Sequence, residues 1–192
     1  MLAGLADLVL DSQRAFRAVL DAMAHPGRVV DVPGAEAAPY PLHLAAAAVC
    51  LTLADFDTPL WLDDGAGTDE IREFLRFHCG CPLMDAPGVA RFALIAKPEA
   101  MPEISRFDRG TDESPDRSAT LVVQLAALEA GRGRRLTGPG IAGESLLEAR
   151  DLPNRFWRGL RENHALFPRG VDVLLTAGRR LAALPRTTLV EG

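Results

Sequence analysis

Apolar residues along the chain switch between helical and strand spacing. Phe16, Val19, Leu20 and Met23 recur at i, i+3, i+4 and i+7. That period predicts an amphipathic helix over 13–24, with Asp11 or Ser12 as N-cap and Gly27 just past its end. A short strand over 28–32 stops at Pro33-Gly34. Residues 42–54 are alanine-rich and apolar on nearly all sides, which predicts a buried helix. A brief strand over 59–62 runs into Asp63-Asp64-Gly65. Thr68 then caps a helix to about residue 78, with Asp69 and Glu70 in its first turn and Ile71, Phe74 and Leu75 on one face. Gly80 and Pro82 end it.

The second half begins with a strand over 91–96, followed by a polar, proline-containing loop over 106–117. Residues 119–125 form a continuous apolar run, the mark of a strand buried on both faces. A glycine- and arginine-rich turn is expected over 131–143. Beyond it, Phe156, Leu160, His164 and Phe167 are spaced for one helix face, with Pro153 near the start. Residues 171–176 read as a strand, Ala177-Gly178 as a turn, and 180–190 as one or two further strands broken by Pro185. No repeat of fixed period and no low-complexity linker interrupts this alternation. Helices alternating with buried strands and ending in a hairpin predict one three-layer α/β/α domain over 1–192, built on a mixed sheet.

Composition narrows the class. The 192 residues are 48% hydrophobic and 24% charged, with a net charge of −5, which excludes an intrinsically disordered chain. Three cysteines, Cys50, Cys79 and Cys81, make an odd count that argues against a disulfide framework. The first ten residues lack a basic segment and include Asp7, so they do not form a signal peptide. The longest apolar stretch, 42–54, is too short to span a bilayer. The expectation is a soluble cytoplasmic protein with no membrane partner. An acidic balance also speaks against a nucleic-acid binder. Lys97 is the sole lysine and Pro98 follows it, so Schiff-base chemistry would have a single unpromising candidate.

The motifs each have a plain structural alternative. Gly138-Pro139-Gly140-Ile141-Ala142-Gly143 spells G-x-G-x-x-G. The segment after it leads to Pro153 and a helix rather than a parallel strand, and Pro139 removes an amide, so a dinucleotide site is rejected. Arg132, Arg134 and Arg135 beside Gly138 and Gly140 could cradle an anion, or stand solvated on an exposed turn. His78-Cys79-Gly80-Cys81 holds only one close cysteine pair, where structural zinc wants two, and Cys50 and His43 fall on another helix. No metal is expected. His25 at a helix exit suits the C-terminal dipole, and His164 on an apolar face suits a core position. Asp108, Asp112, Glu113 and Asp116 read as a solvated loop. There is no G-x-S-x-G, H-E-x-x-H or P-loop, and no catalytic residue can be assigned.

Four phrases together resemble a known family. They are Gln13-Arg14-Ala15-Phe16-Arg17 with Met23-Ala24-His25-Pro26-Gly27; Leu136-Thr137-Gly138-Pro139-Gly140-Ile141; Phe167-Pro168-Arg169-Gly170-Val171-Asp172; and Leu184-Pro185-Arg186-Thr187-Thr188. Their order and spread resemble the PhnH family, subunits of the carbon–phosphorus lyase system of phosphonate use. The resemblance implies a fold like the large domain of pyridoxal-phosphate-dependent transferases without the cofactor site. It implies a homodimer in isolation and a core complex with PhnG, PhnI and PhnJ. It also implies a first step in which ribose 5-triphosphate passes from ATP to an alkylphosphonate. It carries no catalytic residue onto any position, and the cysteines for radical cleavage of the carbon–phosphorus bond are missing here. Arg132, Arg134, Arg135, Arg169 and Arg186, with Gly138 and Gly140, stand as anion-binding or interface candidates. The rival is a free-standing enzyme acting on nucleotides or phosphorylated metabolites.

Overall fold

The computed structural model describes residues 2–191. Its helices are α1 (Leu10–Ala24), α2 (Leu44–Leu53), α3 (Asp69–Cys79) and α4 (Asn154–His164). Seven strands build the large sheet: β1 (Val30–Asp31), β2 (Leu60–Leu62), β3 (Leu83–Met84), β4 (Phe92–Ile95), β5 (Thr120–Gln124), β8 (Asp172–Ala177) and β9 (Arg180–Leu184). Their order is β1-β9-β8-β5-β4-β2-β3. Strands β3, β2, β4, β5 and β8 are mutually parallel, while β9 runs antiparallel to β8 and to β1. The remaining strands, β6 (Leu128–Thr137), β7 (Ser145–Ala149) and β10 (Leu189–Glu191), form a second antiparallel sheet in the order β10-β6-β7.

Strand alternation divides the core in two. Leu60, Leu62, Leu94, Val122, Leu174 and Leu181 face α1, α2 and α3. Ala93, Ile95, Leu121, Val123, Val173 and Leu175 face the opposite way, onto Phe156, Trp157 and Leu160 of α4. That second face is closed largely by Leu128, Leu136, Leu147 and Val190 of the small sheet, and by Met101, Ile104 and Phe107 of the β4–β5 connection. The mixed sheet and helices expected from the sequence are present. The outer layers are unequal, however: three helices cover one face, and one helix with a small sheet covers the other.

Three local expectations are corrected. The residues read as a turn over 131–143 include most of β6, because Gly131-Arg132-Gly133 forms a bulge: Ala130 and Arg134 both pair with Leu147. A Cβ on Gly133 would stand 2.5 Å from the Leu147 carbonyl oxygen, and its φ is +93°. Helix α4 stops at His164, and Phe167, expected on its buried face, is exposed. Pro168 disfavours helical geometry at Phe167. On α1 the buried residues are Ala15, Val19 and Ala22, while Phe16 and Leu20 remain 44% and 50% exposed. Small residues face inward because α1 packs on α2, where residues 45–48 are four buried alanines. The helix also begins earlier than expected. Asp7 Oδ1, rather than Asp11 or Ser12, accepts from the Val9 and Leu10 amides at 3.0 and 2.9 Å.

Thr68 caps α3 by accepting from the Ile71 amide, and the hairpin between β8 and β9 is present. Pro185 breaks the tail into two strands that lie in different sheets. No helix among the described residues is long and apolar enough to cross a membrane.

A polar knot fastens α2 to the C-terminal end of β5. Gln124 is buried; its Oε1 accepts from the His43 amide at 2.5 Å and its Nε2 donates to the Pro41 carbonyl at 3.2 Å. The Gly178 amide donates to His43 Nδ1 at 3.3 Å, which requires that nitrogen to be unprotonated. Burial lowers the His43 pKa, so the native state resists the second proton.

Two outcomes follow from this packing. Ala47→Leu overfills the close packing around α2 and is expected to cost about 1–3 kcal/mol, read as a lower urea midpoint. Below the ordinary histidine value of about 6.5 the unfolded chain takes up a proton that native His43 refuses, so stability falls with pH there and not above it. Replacing it as His43→Asn should reduce the loss on acidification. Equal losses in wild type and variant would show that His43 is not the source.

Candidate functional site

Where the tail crosses between the sheets, Arg186 gathers four segments. Its amide donates to Asp172 Oδ1 at 2.8 Å. The guanidinium Nε donates to the same oxygen at 3.2 Å, and Nη2 to Asp172 Oδ2 at 2.6 Å. Nη2 also reaches Ser118 Oγ at 2.6 Å, and Nη1 reaches the carbonyls of Pro115 and Pro168 at 2.6 and 3.3 Å. A guanidinium has five N–H groups. Five bonds occupy them, and the pair is largely enclosed, with side chains 14% and 16% exposed. Arg186 therefore ties the loop before β5, the start of β8 and the turn after α4 to the tail. It has no donor left over for a ligand. His164, half-buried, places Nδ1 3.3 Å from the Arg186 carbonyl.

The glycines beside it serve the same closure. A Cβ on Gly138 would approach the Thr187 carbonyl oxygen to 2.7 Å. On Gly140, where φ is +82°, it would run into the Ala24 carbonyl at the end of α1. The loop between β6 and β7 is thus pressed against both the tail and the α1 exit. At that exit His25 Nδ1 sits 3.0 Å from the Asp21 carbonyl and 3.1 Å from its carboxylate.

Three of the other candidate arginines lie on β6 of the small sheet. Arg132, at the tip of the bulge, pairs with Glu129 at 2.6 Å and with Glu148, and Arg150 approaches the same two carboxylates at 3.9 and 3.7 Å. Arg135 pairs with Glu144 at 2.7 Å and Glu191 at 3.3 Å. Arg134 lies 5.6 Å over the Trp157 ring and donates to Asn154 Oδ1 at 3.4 Å. Arg134 and Arg135 border a cavity of about 620 Å³ with Leu147, Leu152, Trp157 and Glu191. Its floor is apolar and its rim carries both signs of charge. Arg169 stands apart, with Nε 3.1 Å from Asp112 Oδ1 on the loop over 106–117. The structure thus brings Arg134 and Arg135 to one cavity, gives Arg132 to a surface ion-pair cluster, and places Arg169 and Arg186 at the loop closure.

A family model described as bacterial phosphonate metabolism protein (PhnH) matches residues 3–191. The chain belongs to the PhnH family. It is 41% identical over 186 residues to the alpha-D-ribose 1-methylphosphonate 5-triphosphate synthase subunit PhnH of Rhizobium meliloti (strain 1021), covering 97% of this chain and 93% of that one. It is 33% identical over 180 residues to HtxG of Stutzerimonas stutzeri, whose name carries a provisional C-P lyase subunit assignment, covering 93% and 85%.

In this PhnH-family chain, the phrases that carried the resemblance meet in space. Gly27 packs against Leu136 and Ser145, Gly140 against Ala24, Gly138 against Thr187, and Arg186 against Asp172. Asn163 completes the junction: its amide donates to the Val171 carbonyl at 2.9 Å and its carbonyl accepts the Val171 amide at 2.8 Å. Sequence reading did not single out Asn163, Ser118, Gln124 or Asp63. Asp63, buried at the end of β2, accepts from the Ala66 and Lys97 amides at 2.7 and 2.8 Å. Only the polar identity of these residues beside apolar runs signalled them. The Lys97 side chain itself is exposed.

The thiols converge where α2 and α3 end. The Cys79 thiol donates to the Cys50 carbonyl at 3.6 Å, and its interaction with the Cys81 thiol shifts Cys79 upward and Cys81 downward. Burial pushes Cys50 up to about 12. Among the described residues no three histidine, cysteine or acidic side chains come together to hold a metal ion.

Removing Arg186 leaves Asp172 enclosed without its partner. Arg186→Ala is expected to cost about 3–5 kcal/mol, whereas Arg132→Ala, at an exposed cluster, should cost about 0–1 kcal/mol. Urea midpoints of the two variants measure the contrast, and equal losses would refute the clasp.

Proposed function

We propose that this chain is a subunit of the carbon–phosphorus lyase machinery, required with its partners for transfer of ribose 5-triphosphate from ATP to an alkylphosphonate. The observation that carries this reading is 41% identity, across nearly the whole of both chains, to a subunit named for that synthase. Its own contribution is assembly. The polar side chains with the most bonds here join one segment of the chain to another: Arg186 ties together four segments and Asn163 two. The partners are PhnG-, PhnI- and PhnJ-like subunits, the isolated chain pairs with itself, and the complex works in the cytoplasm. The fold is that of the large domain of pyridoxal-phosphate-dependent transferases, used without the cofactor. The exposure of Lys97, the sole lysine, supports that reading.

The face bearing Arg134 and Arg135 is the contact we assign to a partner or to its anionic substrate. Arginine over an aromatic ring, with an apolar floor and a charged rim, is the composition of a protein interface. Its exposed ion pairs are weak enough to exchange partners.

The test is affinity capture of the tagged chain from its own host grown on a phosphonate as sole phosphorus source. Stoichiometric recovery of PhnG-, PhnI- and PhnJ-like proteins is expected, and the double variant Arg134→Ala/Arg135→Ala should weaken recovery while keeping its fold. Recovery of the chain alone, with those partners expressed, overturns the subunit reading. Unchanged assembly and transfer in the double variant overturns the assignment of that face.

A further inference from the structure

A second arginine cluster lies away from the small sheet, on the far side of α4. Arg155, Arg158 and Glu162 follow one another at i, i+3 and i+7, so they share a helix face. The 3-10 turn at Ile104–Arg106 packs against that face at Gly159, where a Cβ would stand 3.3 Å from Ile104 Cδ1. Between the turn and the helix is a cavity of about 270 Å³, floored by Ile104 and Leu166 and bordered by Arg109, Arg155 and Arg158. It is smaller than the roughly 300–1,000 Å³ usual for a drug-sized ligand, which suits a compact polar group.

The three guanidiniums are held differently from those of the small sheet. Arg155 is anchored through Nη2 alone, which donates to the carbonyls of Glu99 and Met101 at 2.5 and 3.3 Å. Its remaining N–H groups have no partner among the described residues, and no carboxylate there neutralises it. Arg109 has its backbone fixed, since its carbonyl accepts the Gly170 amide at 2.8 Å, while its side chain has no partner among the described residues. The nearest carboxylate oxygen to Arg158 belongs to Glu162, 3.9 Å away and itself 71% exposed. Glu103, also on the rim, is within 3.5 Å of its own neighbour Ser105. The lining therefore sums to three positive charges against two negative, with the positive groups holding unused donors.

We propose that this cavity binds a phosphorus oxyanion, the phosphate or phosphonate group of a small ligand. Guanidinium forks match the oxygens of such a group, and charge-assisted bonds to it are stronger than neutral ones. Asn163 also lines the cavity, but its amide is committed to Val171, so specificity rests on the arginines. The site goes beyond the assembly role, and only the choice of a phosphonate as probe rests on that reading.

Calorimetric titration of the isolated chain with tripolyphosphate, inorganic phosphate and methylphosphonate tests it. At least one probe should bind, with affinity that falls as salt is raised. A preference for tripolyphosphate would identify a polyphosphate tail as the natural ligand, and a preference for methylphosphonate the phosphonate itself. The double variant Arg109→Gln/Arg158→Gln should weaken binding by about tenfold or more. Arg161→Gln removes the same charge from the same helix outside the cavity and should change affinity less than about twofold. Melting temperatures check that all variants fold. Absence of binding by all three probes overturns the proposal, as does equal weakening by the cavity and control variants. Either failure is distinct from failure of partner capture, which concerns a different face.

Discussion

Five hydrogen bonds from one guanidinium hold the closure of this molecule. The tail must leave the large sheet at the end of β9 and re-enter the small sheet as β10, and Pro185 forces the break between them. Arg186 stands at that break and spends every N–H on groups from other segments. Without it, the carboxylate of Asp172 would lie in a largely enclosed place with no counter-charge. The small sheet depends on this junction in turn, because β10 pairs with β6 directly after it. The exits of α1 and α4 are pinned against the same region by close backbone approach at Gly140 and by Asn163.

Arginine is nearly the sole cation of this chain, and its environments separate structural from exchangeable roles. At Arg186 the guanidinium is enclosed and saturated. On the small sheet Arg132 and Arg135 meet carboxylates in the open, where each pair contributes little and can be exchanged. Around α4, Arg109 and Arg155 keep donors that no carboxylate among the described residues answers, and Arg158 meets only the exposed Glu162. These three settings leave the guanidiniums with different degrees of freedom to meet another charged group.

Much of the architecture was legible in the sequence. The continuous run over 119–125 is β5, a central strand of the large sheet, and Thr68 caps α3. The spacing of the β-strands from 59 to 176 yields the parallel core. The errors occur where local pattern and tertiary demand diverge. Glycine and arginine over 131–143 carry no apolar alternation, because the bulge at Gly131–Gly133 interrupts β6 and its outward positions are charged. Phe16 and Leu20 have the right period for a buried face, yet the chain buries Ala15 and Ala22, which permit the closer approach to α2.

The amino-acid order alone determined the helices, most strands of the large sheet, the mixed α/β class and the family, since period, caps and short phrases are local properties. What those phrases do was decided only by the tertiary structure. A guanidinium on the chain is equally a solvated charge, an anion ligand or a clasp until its neighbours are known. For Arg186 those neighbours come from residues 115, 118, 168 and 172, as many as 71 positions away. The cavity beside α4 was invisible for the same reason: Arg109 and Arg155 are 46 residues apart, and only the packing of Gly159 on Ile104 brings loop and helix together.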